Sequence, residues 1–559
     1  IDTENGNTLW MDAIRLEMAN LMVAFQEFDG NPEDLNAKGF FKITGHLVFD
    51  VKLGENFRRK ARFCADGHKV ATPASITYSS VVSRDSVRIL LMIAALNELE
   101  LRAADIQNAF LTAPNLGKCF MIAGDEFGPN KGKCYIVKRA LYGLKSASAA
   151  FRSFLADKLD QIGFKSSLAD PDVWMRPAVK PDGTRYYSYI LCYVDDILTI
   201  DVDAEKVMKE IGDERFKFKN DKIAEPDTYL GARVKKRSLN GQAMWTISSD
   251  EYVKAALGNI QSRLEGTHWR LPKGKIKTPL SPGYHPESDE TDELADQDVT
   301  LYQEIVGIIR WATEIGRVDV LHEIAIMSQY QGCPREGHLK NLLQIVAFWR
   351  DNPRISLYMD PSLPNVDYTS FVTNREEFLI HYRDAKEQLP PDAPVPFGNR
   401  VSITCFVDAS HGANKKTRRS HTGYIIFLNR APVLWYSKRQ ATVEASTFSS
   451  EFIARKTCIE AITALRYKLR MFGIPIADED EINPAHVFCD NETVTKNSTL
   501  VESTLNKKHS SIAYHYLRWN VAAGIASIAW IPSGENLSDP FTKILNDTAR
   551  DYLFGNWTY

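Results

Sequence analysis

Asp195 and Asp196 stand side by side in Tyr193-Val194-Asp195-Asp196, between the apolar runs Tyr189-Ile190-Leu191-Cys192 and Ile197-Leu198-Thr199-Ile200. Such flanks predict two short β-strands with the acidic pair at the turn between them. Adjacent carboxylates at a hairpin tip repel each other, and a purely structural turn has no reason to select them. A divalent cation removes the repulsion, and hard Mg²⁺ prefers carboxylate oxygen. A third carboxylate, Asp105, lies at the expected end of a strand in Leu101-Arg-Ala-Ala-Asp105-Ile-Gln-Asn-Ala-Phe110-Leu111, after an apolar stretch, 89–96, that reads as a buried helix. Carboxylates from two distant stretches, joined by a sheet, suit two-metal phosphoryl transfer. One ion acidifies an attacking hydroxyl and the other steadies the leaving group.

The elements that must position these acids follow from the pattern along the chain. Residues 1–212 alternate helix-like and strand-like segments, and Trp10, Ala13, Glu17, Leu21 and Ala24 keep helical spacing in the first. Residues 213–350 read as mostly helical after Tyr229-Leu-Gly231, interrupted by an acidic loop, 287–298. In 351–400, Pro390, Pro391, Pro394 and Pro396 predict a stiffened linker that breaks any helix. The strand pattern restarts at Val401-Ser-Ile-Thr-Cys-Phe-Val-Asp408, which marks a domain boundary.

Four more acids follow that boundary. Asp408 ends the first strand, and 422–428 and 433–436 read as the next two. Glu451 lies in Ser446-Thr-Phe-Ser-Ser-Glu451, opening a helix expected to reach about residue 472. Asp490 ends Ala485-His-Val-Phe-Cys-Asp490, and Asp539 follows Trp530-Ile-Pro-Ser-Gly-Glu-Asn-Leu-Ser at the expected start of a last helix.

The bulk numbers bound the class. The 559 residues suggest three or four domains, and 44% hydrophobic with 25% charged residues describes an ordinary globular chain. No apolar run approaches the roughly 20 residues that span a bilayer. The first residue, Ile1, suggests a fragment or a proteolytic product. Eight cysteines without a Cys-x-x-Cys pair disfavour zinc, and Cys192, Cys405 and Cys489, each in an apolar strand-like run, read as buried thiols in a reducing compartment. A net charge of −3 argues against nucleic acid, but acidic active sites account for part of it. Basic clusters occur at 52–62, 233–237, 268–277, 415–419 and 507–508.

The strings Asp105-Ile-Gln-Asn-Ala-Phe110-Leu111, Ala140-Leu-Tyr-Gly-Leu-Lys145, Tyr193-Val-Asp-Asp196 and Tyr229-Leu-Gly231 occur in the order and spacing of reverse transcriptases. The chain resembles, more narrowly, the reverse transcriptase–RNase H part of copia-type LTR retrotransposon Pol polyproteins, from about Trp10 to Leu545. The order strand-Asp408, helix-Glu451, strand-Asp490, helix-Asp539 resembles the RNase H fold. The resemblance implies an α+β multidomain protein: a right-hand polymerase (fingers and palm 1–212, primer grip and thumb 213–350), a connection 351–400, and a mixed α/β RNase H-like domain 401–559. It implies two Mg²⁺ ions per active site, with Mn²⁺ as a substitute, held by Asp105, Asp195 and Asp196 in one and by Asp408, Glu451, Asp490 and Asp539 in the other.

Further roles come with the resemblance. Phe110 would lie against the sugar of an incoming deoxynucleoside triphosphate and exclude a 2′-hydroxyl. Arg62, or Lys60, would clamp the triphosphate, and Tyr142-Gly143 would pack the nucleotide's other side. Leu230-Gly231 resembles the primer grip. Gln303, Gly307 and Trp311, spaced i, i+4, i+8, share one helix face and would track the duplex minor groove. The implied partners are an RNA/DNA template–primer duplex, deoxynucleoside triphosphates, and a second copy or other Pol and Gag products, with no membrane. The implied place is a cytoplasmic virus-like particle, and the nucleus with the cDNA. Three departures stand out. Ser146-Ala-Ser148 replaces Gln-Ala/Ser-Pro, and Ser449-Ser450-Glu451 replaces Glu-Ala-Glu. The loop 532–536 lacks the His of retroviral RNase H, with His509 and His515 nearby in sequence. The alternative is a domesticated retroelement protein that keeps the fold for binding or structure. Such a copy should have lost some of the acids, and all of them are present.

Overall fold

The apolar runs around the acidic turn form the middle of a five-stranded antiparallel sheet in the order Glu100–Asp105, Asp196–Asp201, Arg185–Tyr193, Val173–Val179, Lys165–Ser166. The coordinates are a computed structural model that describes residues 2–52, 58–69, 77–239, 241–371, 373–476, 483–505, 510–555 and 557–558. Residues 53–57 of the first basic cluster, Lys507, Lys508 and His509 lie outside the described residues. Successive strand residues face opposite ways. Ile190, Cys192 and Ile197 therefore pack with helices Ala147–Gln161 and Ala204–Ile211, while Tyr189, Leu191, Leu198 and Ile200 pack with helix Arg84–Leu96. Burial on both faces explains the unbroken apolar runs.

After Gly231 the expected helices are preceded by strands. Thr228–Tyr229, Ala232–Leu239, Gln242–Ser248 and Ser356–Met359 form a four-stranded antiparallel sheet. The basic cluster 233–237 is one of these strands. Only Ala232 and Val234 of it are buried, so its apolar alternation is too brief to read among the charges. The helices Asp250–Leu264, Asp296–Glu314, Leu321–Met327 and Glu336–Asp351 then enclose a core of their own.

The proline-rich stretch lies against the other units. Tyr187 donates from its hydroxyl to the Val395 carbonyl at 2.9 Å and stacks on Phe397 at 5.0 Å between centroids. Helix Arg375–His381 packs on helix Ser511–Ala522, with Arg375 Nε donating to the Ala522 carbonyl at 2.7 Å.

The C-terminal sheet runs Ala431–Arg439, His421–Leu428, Ile403–Ser410, Ala485–Cys489, Ala526–Trp530. Its first three strands are antiparallel, and the last two join in parallel. Helix Thr447–Met471 crosses one face. This unit shares one continuous apolar core with the first sheet. At the seam, the Tyr189 hydroxyl donates to the Phe472 carbonyl at 2.7 Å, and Lys468 pairs with Asp85 at 2.7 Å. Arg88 donates to the carbonyls of Val433 (2.7 Å) and Glu314 (3.1 Å) and lies over the Trp435 ring at 4.0 Å. No helix among the described residues is long and apolar enough to cross a membrane.

Candidate active sites

Antiparallel register sets Asp105 directly opposite Asp196, and Tyr193 pairs with Asp196 across the turn. The turn therefore has two residues, Val194 and Asp195. Val194 has φ +55°, a left-handed conformation that a β-branched side chain resists. Strain of this kind collects at functional sites. The Ile106 amide ties the turn to the neighbouring strand by donating to the Asp195 carbonyl at 2.8 Å.

Burial, then the charges of Asp195 and Asp105, push the Asp196 carboxyl up to about 6. Asp195 is also raised, by burial and by Asp105, against the opposing charges of Arg62 and Lys60. Those two cations thus face the turn from strand Arg58–Ala65, where their i, i+2 spacing puts them on one side. Lys219 approaches Asp105 at 3.5 Å, a counter-charge the sequence reading missed because its stretch carries no periodic signal. The three carboxylates do not converge on one point. Among the described residues only Asp408, Glu451 and Asp490 bring three ligand atoms within 4.8 Å of one another.

Phe110, partly buried, meets Tyr142 edge-on at 4.7 Å, and the Arg62 guanidinium lies 5.3 Å from the Tyr142 ring centroid. Burial and the charge of Asp195 raise the Tyr142 hydroxyl, so this side chain borders the acids. Gly143 has a packing reason. Its φ is +90°, and a Cβ there would overlap the Ala65 carbonyl oxygen. The Ala65 amide meanwhile donates to the Tyr142 carbonyl at 2.7 Å, locking the cationic strand to this loop.

Leu230 and Gly231, at φ +53° and +78°, form a two-residue hairpin turn. The Tyr229 hydroxyl anchors it to the acid-bearing sheet through the Leu191 carbonyl at 3.2 Å. A Cβ on Gly231 would lie 3.7 Å from Trp311 Nε1, so helix and turn meet. Gln303, Gly307 and Trp311 share the exposed side of helix Asp296–Glu314, with open space at Gly307 and the Arg84 guanidinium over Trp311 at 4.1 Å. Tyr193, Leu230 and Trp311 border one cavity of about 490 Å³, together with Trp435 from the C-terminal sheet.

In the second centre Asp408 and Glu451 are buried, and Asp490 is half-buried beside them. Asp539 lies on a short 3₁₀ turn, Asp539–Phe541, and not on the expected helix; Pro540 and the absence of a following periodic run account for that. Gly423, paired with Asp408, gives Phe541 and Thr542 room, since a Cβ there would come within 2.8 Å of both. Thr542 donates to Asp408, and Lys543 pairs with Asp539 at 2.9 Å and Asp408 at 3.3 Å. Burial, then the Asp408 charge, pushes Asp539 up to about 6, and burial with Asp408 raises Glu451 well above the usual range. Glu451 Oε2 is buried with no hydrogen-bond partner among the described residues, and a buried orphan of this kind calls for an explanation. Lys543, Thr542 and the buried Arg455 beside Glu451 were missed in the sequence; a Lys four residues after an acid is an unremarked surface pattern. His515 bonds to Tyr382 at 2.8 Å.

Residues 35–262 match the family of reverse transcriptases (RNA-dependent DNA polymerases). The Retrovirus-related Pol polyprotein from transposon RE1 of Arabidopsis thaliana is 24% identical over 496 residues, covering 88% of this chain and 30% of its own length. The counterpart from transposon TNT 1-94 of Nicotiana tabacum is 23% identical, covering 95% of this chain and 37% of its own. The chain spans about a third of these polyproteins. The solved RNase H1 of Halobacterium salinarum covers 28% of this chain and 99% of its own at 16% identity, with a TM-score of 0.19 that bears no weight. Residues 35–262 thus match the reverse transcriptase family, and the chain is similar over most of its length to the corresponding region of copia-type retrotransposon Pol polyproteins.

Proposed function

We propose that the protein is an RNA- and DNA-directed DNA polymerase with RNase H activity, copying retrotransposon RNA into DNA and degrading the RNA of the resulting hybrid. The observation that carries this reading is Asp105 facing Asp196 across an antiparallel pair, with Asp195 on the strained turn beside them. On this reading residues 1–212 are fingers and palm, 213–350 primer grip and thumb, 351–400 a connection, and 401–559 the RNase H domain.

The all-carboxylate donor sets fit hard divalent cations. Asp105, Asp195 and Asp196 would hold Mg²⁺ in one centre, and Asp408, Glu451, Asp490 and Asp539 in the other, with Mn²⁺ as a substitute. Bound there, the ions supply acidification of the attacking hydroxyl or water and charge neutralisation at the leaving group. The remaining work falls to side chains. Arg62 and Lys60 receive the triphosphate of the incoming nucleotide, while Phe110, braced by Tyr142, borders its sugar. Leu230-Gly231 holds the primer end. Gln303, Gly307 and Trp311 follow the duplex, where the missing side chain at position 307 admits a sugar closely. The protein would act with other Pol and Gag products or a second copy, in a cytoplasmic particle and with cDNA in the nucleus.

The deciding experiment is primer extension on an RNA template with Mg²⁺, alongside hydrolysis of the RNA in a preformed hybrid. Extension without RNA-strand loss rejects the nuclease half. Loss without extension rejects the polymerase half.

A further inference from the structure

A cavity of about 220 Å³ lies where helix Leu321–Met327 and the loop 283–287 meet the C-terminal sheet. Arg419 and Arg439 border it from the side of that sheet. Register sets Arg439 opposite His421, and Arg419 lies two residues before His421, so the three side chains share one face of the strand pair. Both arginines are half-buried, and among the described residues neither guanidinium makes a hydrogen bond or an ion pair. The groups around them do not answer their charge. The His322 and His421 rings meet edge-on at 4.7 Å and are almost fully buried. Burial pushes His322 down to about 4, and burial with the charges of His322 and Arg439 holds His421 well below its ordinary range, so both rings are neutral. Glu287 also lines the cavity, but it already accepts from the Lys415 amide at 2.7 Å and pairs with His285 Nδ1 at 3.2 Å. Lys543 borders one end, where Asp539 and Asp408 hold its ammonium. Two guanidiniums are left facing one space, among the described residues without a partner.

We propose that this cavity is an anion site that takes a phosphate monoester between Arg419 and Arg439. Half-burial weakens the solvation that an isolated guanidinium needs, and two side by side repel, so an anion shared between them removes both costs. A guanidinium presents a planar fork that matches phosphate oxygens two at a time. A monoester carries about −1.5 to −2 charge near neutral pH, which suits two cations better than the single charge of a carboxylate or a backbone phosphodiester. The space exceeds several water molecules' share of about 30 Å³ each, enough for a phosphate group and the first atoms of its ester. Because the walls come from two units, a bound anion ties helix Leu321–Met327 to the C-terminal sheet. Thr542, which donates to Asp408, also borders the cavity, so the anion lies beside the C-terminal centre. Two sources offer this chemistry: the 5′-phosphate end of a nucleic-acid strand and free phosphate. The site needs no catalysis and stands apart from the hydrolytic reading.

The test uses the full chain in EDTA at constant ionic strength, so that no ion in the carboxylate centres recruits the anion and no strand is cut. Inorganic phosphate is titrated by isothermal calorimetry, with acetate as comparator. One phosphate per chain is expected, with acetate about tenfold weaker or more. Arg419→Met and Arg439→Met should each weaken phosphate about tenfold or more, the scale of losing one charge-assisted hydrogen bond. Two RNA–DNA hybrids then separate the sources, one with 5′-phosphates on both strands and one with 5′-hydroxyls. If a strand end is the source, the phosphorylated hybrid binds about tenfold tighter, and Arg419→Met removes the preference. If free phosphate is the source, the hybrids bind alike while inorganic phosphate still binds. Should a variant not fold, phenylglyoxal labelling of the unsubstituted protein decides. Phosphate or the phosphorylated hybrid, and neither acetate nor the hydroxyl hybrid, should shield Arg419 and Arg439. No saturable phosphate binding together with equal hybrid affinities overturns the proposal. So do acetate binding as tight as that of phosphate, phosphate binding undiminished in both folded variants, and labelling that neither phosphate nor the phosphorylated hybrid reduces.

Discussion

Asp105, Asp195 and Asp196 sit half-exposed on two neighbouring strands and a turn, whereas Asp408 and Glu451 are 2% and 3% exposed on a strand and a helix. In the first centre the counter-charges come from outside: Lys219 at 3.5 Å from Asp105, and Arg62 and Lys60 from another sheet. In the second, Lys543 is built into the turn that carries Asp539. The difference suits the substrates proposed for each. A site that must admit a triphosphate and release its product each cycle benefits from cations that can turn to the ligand. A site that cuts one backbone bond at a time can keep its cation fixed and its acids dry.

Chemically separate centres should respond to separate substitutions. Asp195→Asn is expected to abolish primer extension while leaving hydrolysis of the RNA in a hybrid, and Glu451→Gln to do the reverse. Assaying both activities in both folded variants settles it; a single change that removes both would erase the comparison.

Mechanically the two halves are not separate, and Arg88 is where that can be broken. Its guanidinium is buried, satisfies two carbonyls from different units and covers the Trp435 ring. Arg88→Met strands both carbonyls, at a cost of about 3 kcal/mol. Denaturant unfolding should show that loss in one transition, and both activities should decline together on warming. An unchanged midpoint would mean the seam is not formed in solution.

The sequence made most of the acids legible because they lie at or near the ends of strongly patterned elements: apolar runs flank Asp195 and Asp196, and strands lead to Asp408 and Asp490, whereas Asp539 sits on a 3₁₀ turn without such a pattern. What it hid were features without local pattern. Lys219 and Lys543 are ordinary surface lysines until the fold sets them beside acids. The strand Ala232–Leu239 is masked by its charges, and the prolines of 390–396 read as a tether because nothing local signals that Val395 and Phe397 meet Tyr187. The crossing with Ala65, which by itself demands glycine at 143, has no local signal either.

Phe110 tests whether the open centre also selects. If its ring abuts the sugar, Phe110→Val should raise the ribo/deoxy ratio of kcat/KM by roughly tenfold or more, since each 1.4 kcal/mol of lost exclusion is about tenfold. The contact with Tyr142 at 4.7 Å also allows a packing role. That role alone predicts a loss of about 1–3 kcal/mol in stability with the ratio unchanged. The ratio, measured in both proteins, separates the two.

The smallest expected effect concerns protons. Asp196 has its carboxyl pushed up to about 6 by burial and by its acidic neighbours, from an unperturbed value of 3.8. A raised folded value means the group favours the folded state below 3.8 and loses that contribution as pH rises through about 6, so without divalent ions it should make the protein less stable at pH 7 than at pH 5. Cation binding needs the carboxylate, so protons and Mg²⁺ compete. The Mg²⁺ concentration giving half-maximal extension should therefore be flat above pH 7 and climb toward about tenfold per unit below 6. Hybrid cleavage should begin its climb at a higher pH, because Glu451 is raised well above the ordinary range by burial and Asp408. Half-saturating Mg²⁺ is the quantity to measure, because the rates themselves also follow ionisation of the attacking hydroxyl or water. Coincident curves would show that burial does not distinguish the centres, and a flat extension curve down to pH 5.5 would remove Asp196 from the cation site.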